Sequence, residues 1–161
     1  MRIREIEEKD NKTMEQIIKR SLESFDLDIP GTAYFDPQLS CLSEFYHQQS
    51  NANYWVAVNE QDIVVGGVGI APFGEMAGIC ELQKLYITPE VQGIGLSKEL
   101  MRVALDYAKR YYTHCYLETL TKLEVANHLY GKLGFQKLDR ALDGSEHNAM
   151  DAWYLKKLTN D

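Results

Sequence analysis

The sequence predicts a mixed-sheet domain of the α/β or α+β class, and three observations support this class. Apolar runs typical of strands alternate with stretches in which apolar residues recur every three or four positions, as in amphipathic helices. Two neighbouring strand-like runs are joined by a short polar turn, which indicates an antiparallel hairpin. A later strand, helix and strand follow one another directly, which indicates a crossover connection.

The first half of the chain is predicted to form an edge strand, two helices and the hairpin. Asp10 or Asn11 can cap the first helix, and Asp36 before Pro37 is the expected N-cap of the second. In chain order, the expected elements are a strand within residues 1–7, a helix from residue 10 or 11 to about 25, a short helix after 37, and strands at 54–58 and 63–70.

The second half is predicted to begin with a strand that ends at Thr88-Pro89 and is followed by a long amphipathic helix. A second helix is expected to stop at Gly134, which suits the position after a helix end. The expected elements are a strand at 78–87, a helix at 93–110, a strand at 115–118, a helix at 123–133, and strands at 135–138 and 149–158.

Length and composition favour one globular domain spanning residues 1–161. Hydrophobic residues make up 45% of the chain and aromatic residues 11%, which is enough for a sizeable core. This composition excludes a disordered chain, a collagen-like repeat and a small disulfide scaffold. The net charge of −7, with no run rich in Lys and Arg, disfavours nucleic acid as a partner.

Several absences favour a cytoplasmic protein. The charged N-terminal segment lacks the apolar stretch of a signal peptide, and no run of about eighteen apolar residues predicts a membrane helix. The cysteines Cys41, Cys80 and Cys115 are far apart and are expected to be free thiols in a reducing compartment. No ligand spacing such as HExxH appears, so no metal is predicted.

A glycine-containing turn, Gln92–Ser97 (QGIGLS), lies between a predicted strand and the long helix. Glycines let backbone N–H groups approach an anion, and the first turn of a helix carries unpaired N–H groups. The turn could hold a pyrophosphate, or it could be a tight connection without a ligand. A Walker A loop is excluded because Leu-Ser-Lys follows Gly95. A dinucleotide-binding fingerprint would need a glycine at Lys98, although Glu118 lies where its ribose-binding carboxylate belongs.

Two longer blocks resemble the GNAT superfamily of acetyl-CoA-dependent N-acetyltransferases. The first, residues 81–97, is similar to the family's strand ending L-x-V-x-P and its helix-start motif R/Q-x-x-G-x-G/A. The second, residues 126–135 (ANHLYGKLGF), resembles the family's A-x-x-L-Y-x-K-L-G-F. The resemblance covers roughly residues 78–138, and it implies a mostly antiparallel twisted sheet of about six to seven strands flanked by about four helices.

The resemblance also implies a binding site for acetyl-CoA, the acetyl donor. Its pantetheine would pair with the backbone of the strand at Leu85–Ile87, and its pyrophosphate would lie on the glycine turn. The chain departs from the family at Ser97, which replaces Gly or Ala, and at Leu123, which replaces an Asn that Asn127 could partly substitute. The implied cofactor-binding residues are Leu85, Tyr86, Ile87, Gln92, Gly93, Ile94, Gly95, Leu96, Ser97 and Asn127.

Two catalytic residues follow from the same resemblance. Tyr130 would protonate or hydrogen-bond the coenzyme sulfur, and its alternative role is packing within an amphipathic helix. Glu81 would act as the general base for the amine, and its alternative role is that of a solvated or salt-bridged strand carboxylate. A glutamate needs a raised pKa to act as a base near neutral pH, and the flanking Cys80 and Leu82 permit an apolar setting.

The implied acceptor is a primary amine of a small molecule or peptide. Segment 21–46, which covers the acceptor site in the family, contains five acidic residues and no Lys or Arg: Glu23, Asp26, Asp28, Asp36 and Glu44. Such a segment could attract a cationic amine, but we favour solvated carboxylates and helix caps. His147 in the last loop could relay a proton, but an exposed loop histidine is the favoured interpretation.

The leading hypothesis is therefore an N-acetyltransferase, monomeric or homodimeric, in which an amine attacks acetyl-CoA directly in a ternary complex. Neither nucleic acid nor a membrane is an expected partner. The first alternative is a non-catalytic acyl-CoA-binding regulatory domain, and the second is a domain that binds a nicotinamide cofactor.

Overall fold

A seven-stranded mixed sheet forms the centre of this computed structural model, which describes residues 1–158. The strands are β1 (Arg2–Glu5), β2 (Asn53–Val58), β3 (Val64–Pro72), β4 (Ile79–Ile87), β5 (His114–Thr119), β6 (Gln136–Leu138) and β7 (Ala152–Lys157). Their order is β1-β2-β3-β4-β5-β7-β6, with β4 and β5 parallel and every other neighbouring pair antiparallel. The mixed-sheet α/β prediction is confirmed.

Four helices cover the two faces of the sheet. They are α1 (Asn11–Ser24), α2 (Leu42–His47), α3 (Leu96–Ala108) and α4 (Glu124–Lys132). The apolar sides of α1 and α2 pack on one face, and those of α3 and α4 pack on the other, so the sheet separates two buried cores. Within residues 1–158, no helix has the length and apolar character needed to cross a membrane.

Two expectations about helix starts are corrected. Helix α3 begins at Leu96 and not at Gly93, because Gly93 and Gly95 both have φ of +83°, which is left-handed and incompatible with a helix. Asp10 precedes α1 without capping it through its side chain. Its two oxygens instead accept hydrogen bonds from Arg4 at 2.7 and 2.9 Å, which ties β1 to the start of the helix.

Two tyrosines lie flat on β3 because its glycines leave room for them. An added Cβ at Gly67 would lie 2.5 Å from the Tyr54 ring, and one at Gly69 would lie 2.7 Å from the Tyr46 hydroxyl oxygen. Both tyrosines are fully buried and reach across β3 to β4. The Tyr46 hydroxyl donates to the Gln83 side chain, and the Tyr54 hydroxyl donates to the main-chain oxygen of Lys84, each at 2.7 Å.

A bulge at Lys84 interrupts β4. Lys84 has a φ of +51°, and the β3–β4 register shifts between Gly67 and Gly69. The pairing of β4 with β5 is short, since only Ile79–Glu81 is aligned with His114–Tyr116. Beyond Glu81 the facing edges of the two parallel strands are no longer hydrogen-bonded to each other. A cleft therefore opens in the middle of the sheet.

The close packing of Tyr54 on β3 gives a stability prediction. We expect Gly67→Ala to lower the free energy of unfolding by about 1–3 kcal/mol, because its Cβ would meet the Tyr54 ring and, at 2.9 Å, the main-chain oxygen of Trp55. Equilibrium unfolding in urea measures this change. Gly131→Ala is the matched control, since a Cβ there meets no atom within 4 Å and should raise helix stability by about 0.5–1 kcal/mol. Equal unfolding free energies for Gly67→Ala and the wild type would contradict the prediction.

Candidate active site

Two carboxylates meet on the α1/α2 face of the sheet, where β4 and β5 diverge. The register pairs Glu81 with Tyr116, and Glu118 lies two residues further along β5, so all three side chains share one face. Glu81 and Glu118 border a cavity of about 70 Å³ that is also lined by Lys84 and His147. A larger surface groove of about 590 Å³ lies between β2 and the C-terminal half of α3, at the other end of the sheet. We place the site at the smaller cavity because its wall contains Glu81, a carboxyl group whose pKa burial raises to about 7.

Glu81 has the electrostatic environment of a proton acceptor. Burial raises the pKa of Glu81 to about 7, a hydrogen bond from Gln83 acts against this shift, and the negative charge of Glu118 adds to it. The Gln83 amide donates to Glu81 Oε1 at 2.7 Å and is itself held by the Tyr46 hydroxyl. The carboxyl group is therefore fixed in one orientation and changes protonation near neutral pH.

Glu118 is a second, half-buried carboxylate of the cavity wall, and its sequence position suggested only a ribose-binding role. Its Oε2 accepts a hydrogen bond of 2.8 Å from the Tyr116 hydroxyl. Its Oε1 is buried and has no hydrogen-bond partner among residues 1–158. A carboxylate oxygen in that condition is available to a ligand that donates hydrogen bonds or carries positive charge. Glu118 lies beside Glu81 because of the register between β4 and β5. The residue pattern of one strand does not reveal that register.

Asp36 and His147 correct two expectations. Asp36 precedes a short 3-10 helix, Pro37–Cys41, but does not cap it through its side chain; its carboxylate instead forms an ion pair with Lys84 Nζ at 3.0 Å. His147 is not a solvated loop histidine, because its Nε2 lies 3.0 and 3.1 Å from the two Asp36 oxygens. Burial alone would raise the pKa of Asp36, but the hydrogen bond from His147 and the charge of Lys84 hold it below its usual range. The bond to Asp36 in turn raises the pKa of His147, against the effect of burial.

Tyr130 points into the sheet from α4, on the face opposite the two carboxylates. Its ring centre lies 5.7 Å from that of Tyr154 on β7. Burial, followed by the proximity of Tyr154, raises the pKa of its hydroxyl, so the phenol is protonated at neutral pH. This hydroxyl makes no hydrogen bond to any residue of the described chain, 1–158. It is therefore free to donate to a ligand that enters between β4 and β5.

Asn127 is committed to the fold. Its amide nitrogen donates to the main-chain oxygens of Leu120 and Leu123 at 2.9 and 2.7 Å. Its oxygen accepts a bond of 2.7 Å from the Tyr154 hydroxyl. These contacts join the start of α4 to β7, and they give no support to the predicted contact between Asn127 and a cofactor.

The turn before α3 presents a row of unpaired amides. The first bond of the helix runs from Glu99 N to Gly95 O at 3.2 Å, and the N–H groups of residues 93–98 donate to no residue within 1–158. An added Cβ at Gly93 or Gly95 would meet no atom within 4 Å, so the glycines serve the backbone conformation and leave one side open. Six amides at a helix start suit an anionic group such as a pyrophosphate.

The remaining predicted cofactor-binding residues lie along the same path. Leu85 and Ile87 pack towards the α3 core and Tyr86 towards the α1 core, so the backbone between them runs along the open edge of β4. Just beyond, the hydroxyl of Thr88 is buried without a partner among residues 1–158. Gln92 and Ile94 are exposed on the turn, Leu96 is buried and Ser97 is partly exposed.

Two of the three cysteines, Cys80 and Cys115, are buried free thiols, and Cys41 is a partly exposed one. Burial keeps the pKa of the Cys115 thiol well above its ordinary value. Within the part of the chain that the structure describes, no three His, Cys, Asp or Glu side chains are grouped as metal ligands would be.

Comparisons with known proteins identify the family. The sequence model of the Acetyltransferase (GNAT) family matches residues 14–135. The chain is 38% identical over 152 residues to a protein of Escherichia coli (strain K12) named uncharacterized N-acetyltransferase YjgM, and the match covers 92% of this chain and 90% of that one.

Solved structures share the fold. An acetyltransferase of the GNAT family from Staphylococcus aureus Mu50 superposes with a TM-score of 0.83 at 21% identity, covering 98% of this chain and 99% of that one. The PaiA N-acetyltransferase of Thermoplasma acidophilum, solved in complex with coenzyme A, gives a TM-score of 0.73 at 23% identity, with coverage of 97% and 98%. With a family match over residues 14–135 and a relative 38% identical across nine-tenths of its length, the chain belongs to the GNAT family of acetyltransferases.

Proposed function

We propose that this protein transfers an acetyl group from acetyl-CoA to a primary amine of a small molecule or peptide, by direct attack in a ternary complex. The observation that carries the proposal is the cleft between β4 and β5. It has free amides at its α3 end, a protonated tyrosine on one face and a carboxyl group that titrates near pH 7 on the other. An acetyl transfer to an amine needs these three groups together.

The residues that bind acetyl-CoA in this proposal run from Leu85 to Ser97. The unpaired amides of residues 93–98 bind the pyrophosphate, and the open edge of β4 at Leu85–Ile87 pairs with the pantetheine arm. One N–H of that edge is available to stabilise negative charge on the thioester oxygen. Acetyl-CoA supplies the acetyl group in activated form, as a thioester. The complex of the structurally similar PaiA with coenzyme A supports this assignment.

The glycine turn gives a binding prediction. Gly95→Ala should weaken coenzyme A binding roughly tenfold, because a left-handed backbone costs an alanine about 1–2 kcal/mol and the turn relaxes away from its amide-presenting conformation. Isothermal titration calorimetry with free coenzyme A measures the change. Gly74→Ala is the control, since Gly74 also has a positive φ (+53°) and open space but lies in the β3–β4 turn. Unchanged affinity in Gly95→Ala, or no heat from the wild type, removes the basis of the proposal.

Glu118 and Glu81 have different roles towards the amine in this proposal. The amine arrives as an ammonium ion with a pKa near 10 and must lose a proton before it can attack. Glu118, with its unpartnered oxygen, holds the ammonium group, and Glu81, directly or through a water, accepts the proton. The acceptor is thus expected to be cationic in solution, because the unpartnered oxygen of Glu118 in the cavity wall can accept hydrogen bonds from an ammonium group.

The pKa of Glu81 gives a pH prediction. Only its ionised form accepts a proton, so kcat/KM should be low below the pKa of about 7 and rise through it. Glu81→Gln should abolish this rise of kcat/KM with pH and lower kcat/KM by about 100-fold or more. Rates between pH 5.5 and 9 provide the measurement, with the exposed Glu60→Gln as a control that should match the wild type. A Glu81→Gln profile with the wild-type shape would refute the base assignment.

Tyr130 acts on the leaving group in this proposal. A departing thiolate is stabilised by a proton donor, and the hydroxyl of Tyr130 is protonated and unpaired at the edge of the cleft. The buried thiols of Cys80 and Cys115 are poorly placed for a covalent acetyl-enzyme. Direct transfer to the amine is therefore the simpler route.

A panel of primary amines with detection of free thiol tests the function as a whole. We expect thiol release from acetyl-CoA that depends on at least one amine, and Tyr130→Phe should lower kcat about tenfold or more while the Kd of acetyl-CoA stays unchanged. Tyr111→Phe, an exposed tyrosine beyond the end of α3, is the control. Binding of acetyl-CoA without thiol release across the panel would favour a non-catalytic acyl-CoA-binding domain instead. Unchanged kcat in Tyr130→Phe would remove the tyrosine from its role.

A further inference from the structure

Three chain segments that are distant in sequence meet at the carboxylate of Asp36. Asp36 lies in the segment between α1 and α2, Lys84 lies at the bulge of β4, and His147 lies in the loop formed by residues 143–150. Lys84 Nζ is 3.0 Å from Asp36 Oδ2, and His147 Nε2 is 3.0 Å from Asp36 Oδ1. One carboxylate thus joins a strand of the sheet to two segments that lie over it.

These contacts are shielded from solvent. The Lys84 side chain is 4% exposed, that of Asp36 is 16% exposed and that of His147 is 27% exposed. A buried ammonium group needs a counterion, so the side chains of Lys84 and Asp36 remain in contact with each other. The carboxylate of Asp36 is thus already held in place when His147 contacts its two oxygens. This contact restricts the loop to one position.

The loop held by His147 covers the cavity between the two strands. His147 and Met150 line that cavity from above, together with Ala33 from the segment that carries Asp36. A main-chain hydrogen bond of 3.1 Å from Ala149 N to Gly31 O also joins the loop to the segment between α1 and α2. The other walls are Glu81 and Glu118, which the proposed function assigns to the amine.

We propose that Asp36 and His147 are positioning residues of the acceptor site: their contact fastens the 143–150 loop over the cavity, so that the amine binds beneath the loop. The inference rests on the proposed function. It concerns the acceptor and not acetyl-CoA, because the loop lies on the α1/α2 face, whereas the unpaired amides lie at the start of α3 on the opposite face.

Variants of His147 give the sharpest test, because Asp36→Asn would also strip the buried Lys84 of its counterion and lower stability. We expect His147→Ala to raise KM for the amine about tenfold and to leave KM for acetyl-CoA unchanged, while the Tm falls by a few degrees because a hydrogen bond to a partly buried carboxylate is lost. His147→Gln should restore much of the loss, since the glutamine amide can present an N–H where Nε2 stands. Glu146→Ala, an exposed neighbour in the same loop, should behave as the wild type.

A second measurement does not depend on turnover. Amide hydrogen exchange at Ala149, whose N–H is bonded to Gly31, should become faster in His147→Ala and stay at the wild-type rate in Glu146→Ala. If no amine is acetylated, the proposed function fails, and exchange alone still decides whether His147 fastens the loop. Unchanged exchange at Ala149 overturns the inference. So does an unchanged KM for the amine, or an equal rise in both KM values.

Discussion

The separation of β4 from β5 is the constraint on which the rest of the site depends. Two parallel strands in the middle of a sheet normally pair along their length, and here they pair over three residues only. The hydrogen bond from the Tyr54 hydroxyl to Lys84 O holds the bulge that turns β4 away. The cleft in which we place the reaction lies where the two strands are no longer paired.

The separation of β4 from β5 also accounts for the raised pKa of Glu81. Side chains at the point of divergence are covered by α1, α2 and the 143–150 loop, so Glu81 is desolvated without being paired to a cation. Glu118 keeps an oxygen without a partner, and Lys84 adopts a backbone conformation that is costly for a lysine. These features lower stability, and all of them lie within one cavity. Such concentration is typical of a site shaped for a ligand.

The two faces of the sheet present different chemical groups. The face covered by α3 and α4 contributes the helix start with its free amides and the tyrosine at position 130, which suit a long phosphorylated molecule. The face covered by α1 and α2 contributes the carboxylates and the ion cluster around Asp36, which suit a small cation. The cleft between β4 and β5 separates these two sets, and in the proposed reaction a donor and an acceptor approach it from opposite sides.

The helices and strands, the family and one candidate catalytic residue on each face of the sheet could be predicted from the amino-acid sequence. Strands, helices and the glycine turn are local patterns, since hydrophobic period and left-handed glycines act over a few residues. Glu81 and Tyr130 could be proposed as catalytic residues because each lies within a recognisable block of sequence. Tertiary structure alone decided the partners of Asp36 and His147 and the position of Glu118 near Glu81, because strand register and loop packing join residues up to 111 positions apart. It also decided that Asn127 joins α4 to β7, since its partner Tyr154 lies on a strand that no local pattern places beside it. Local patterns describe which face a side chain occupies, whereas its pKa and its partners depend on what the rest of the chain brings to that face.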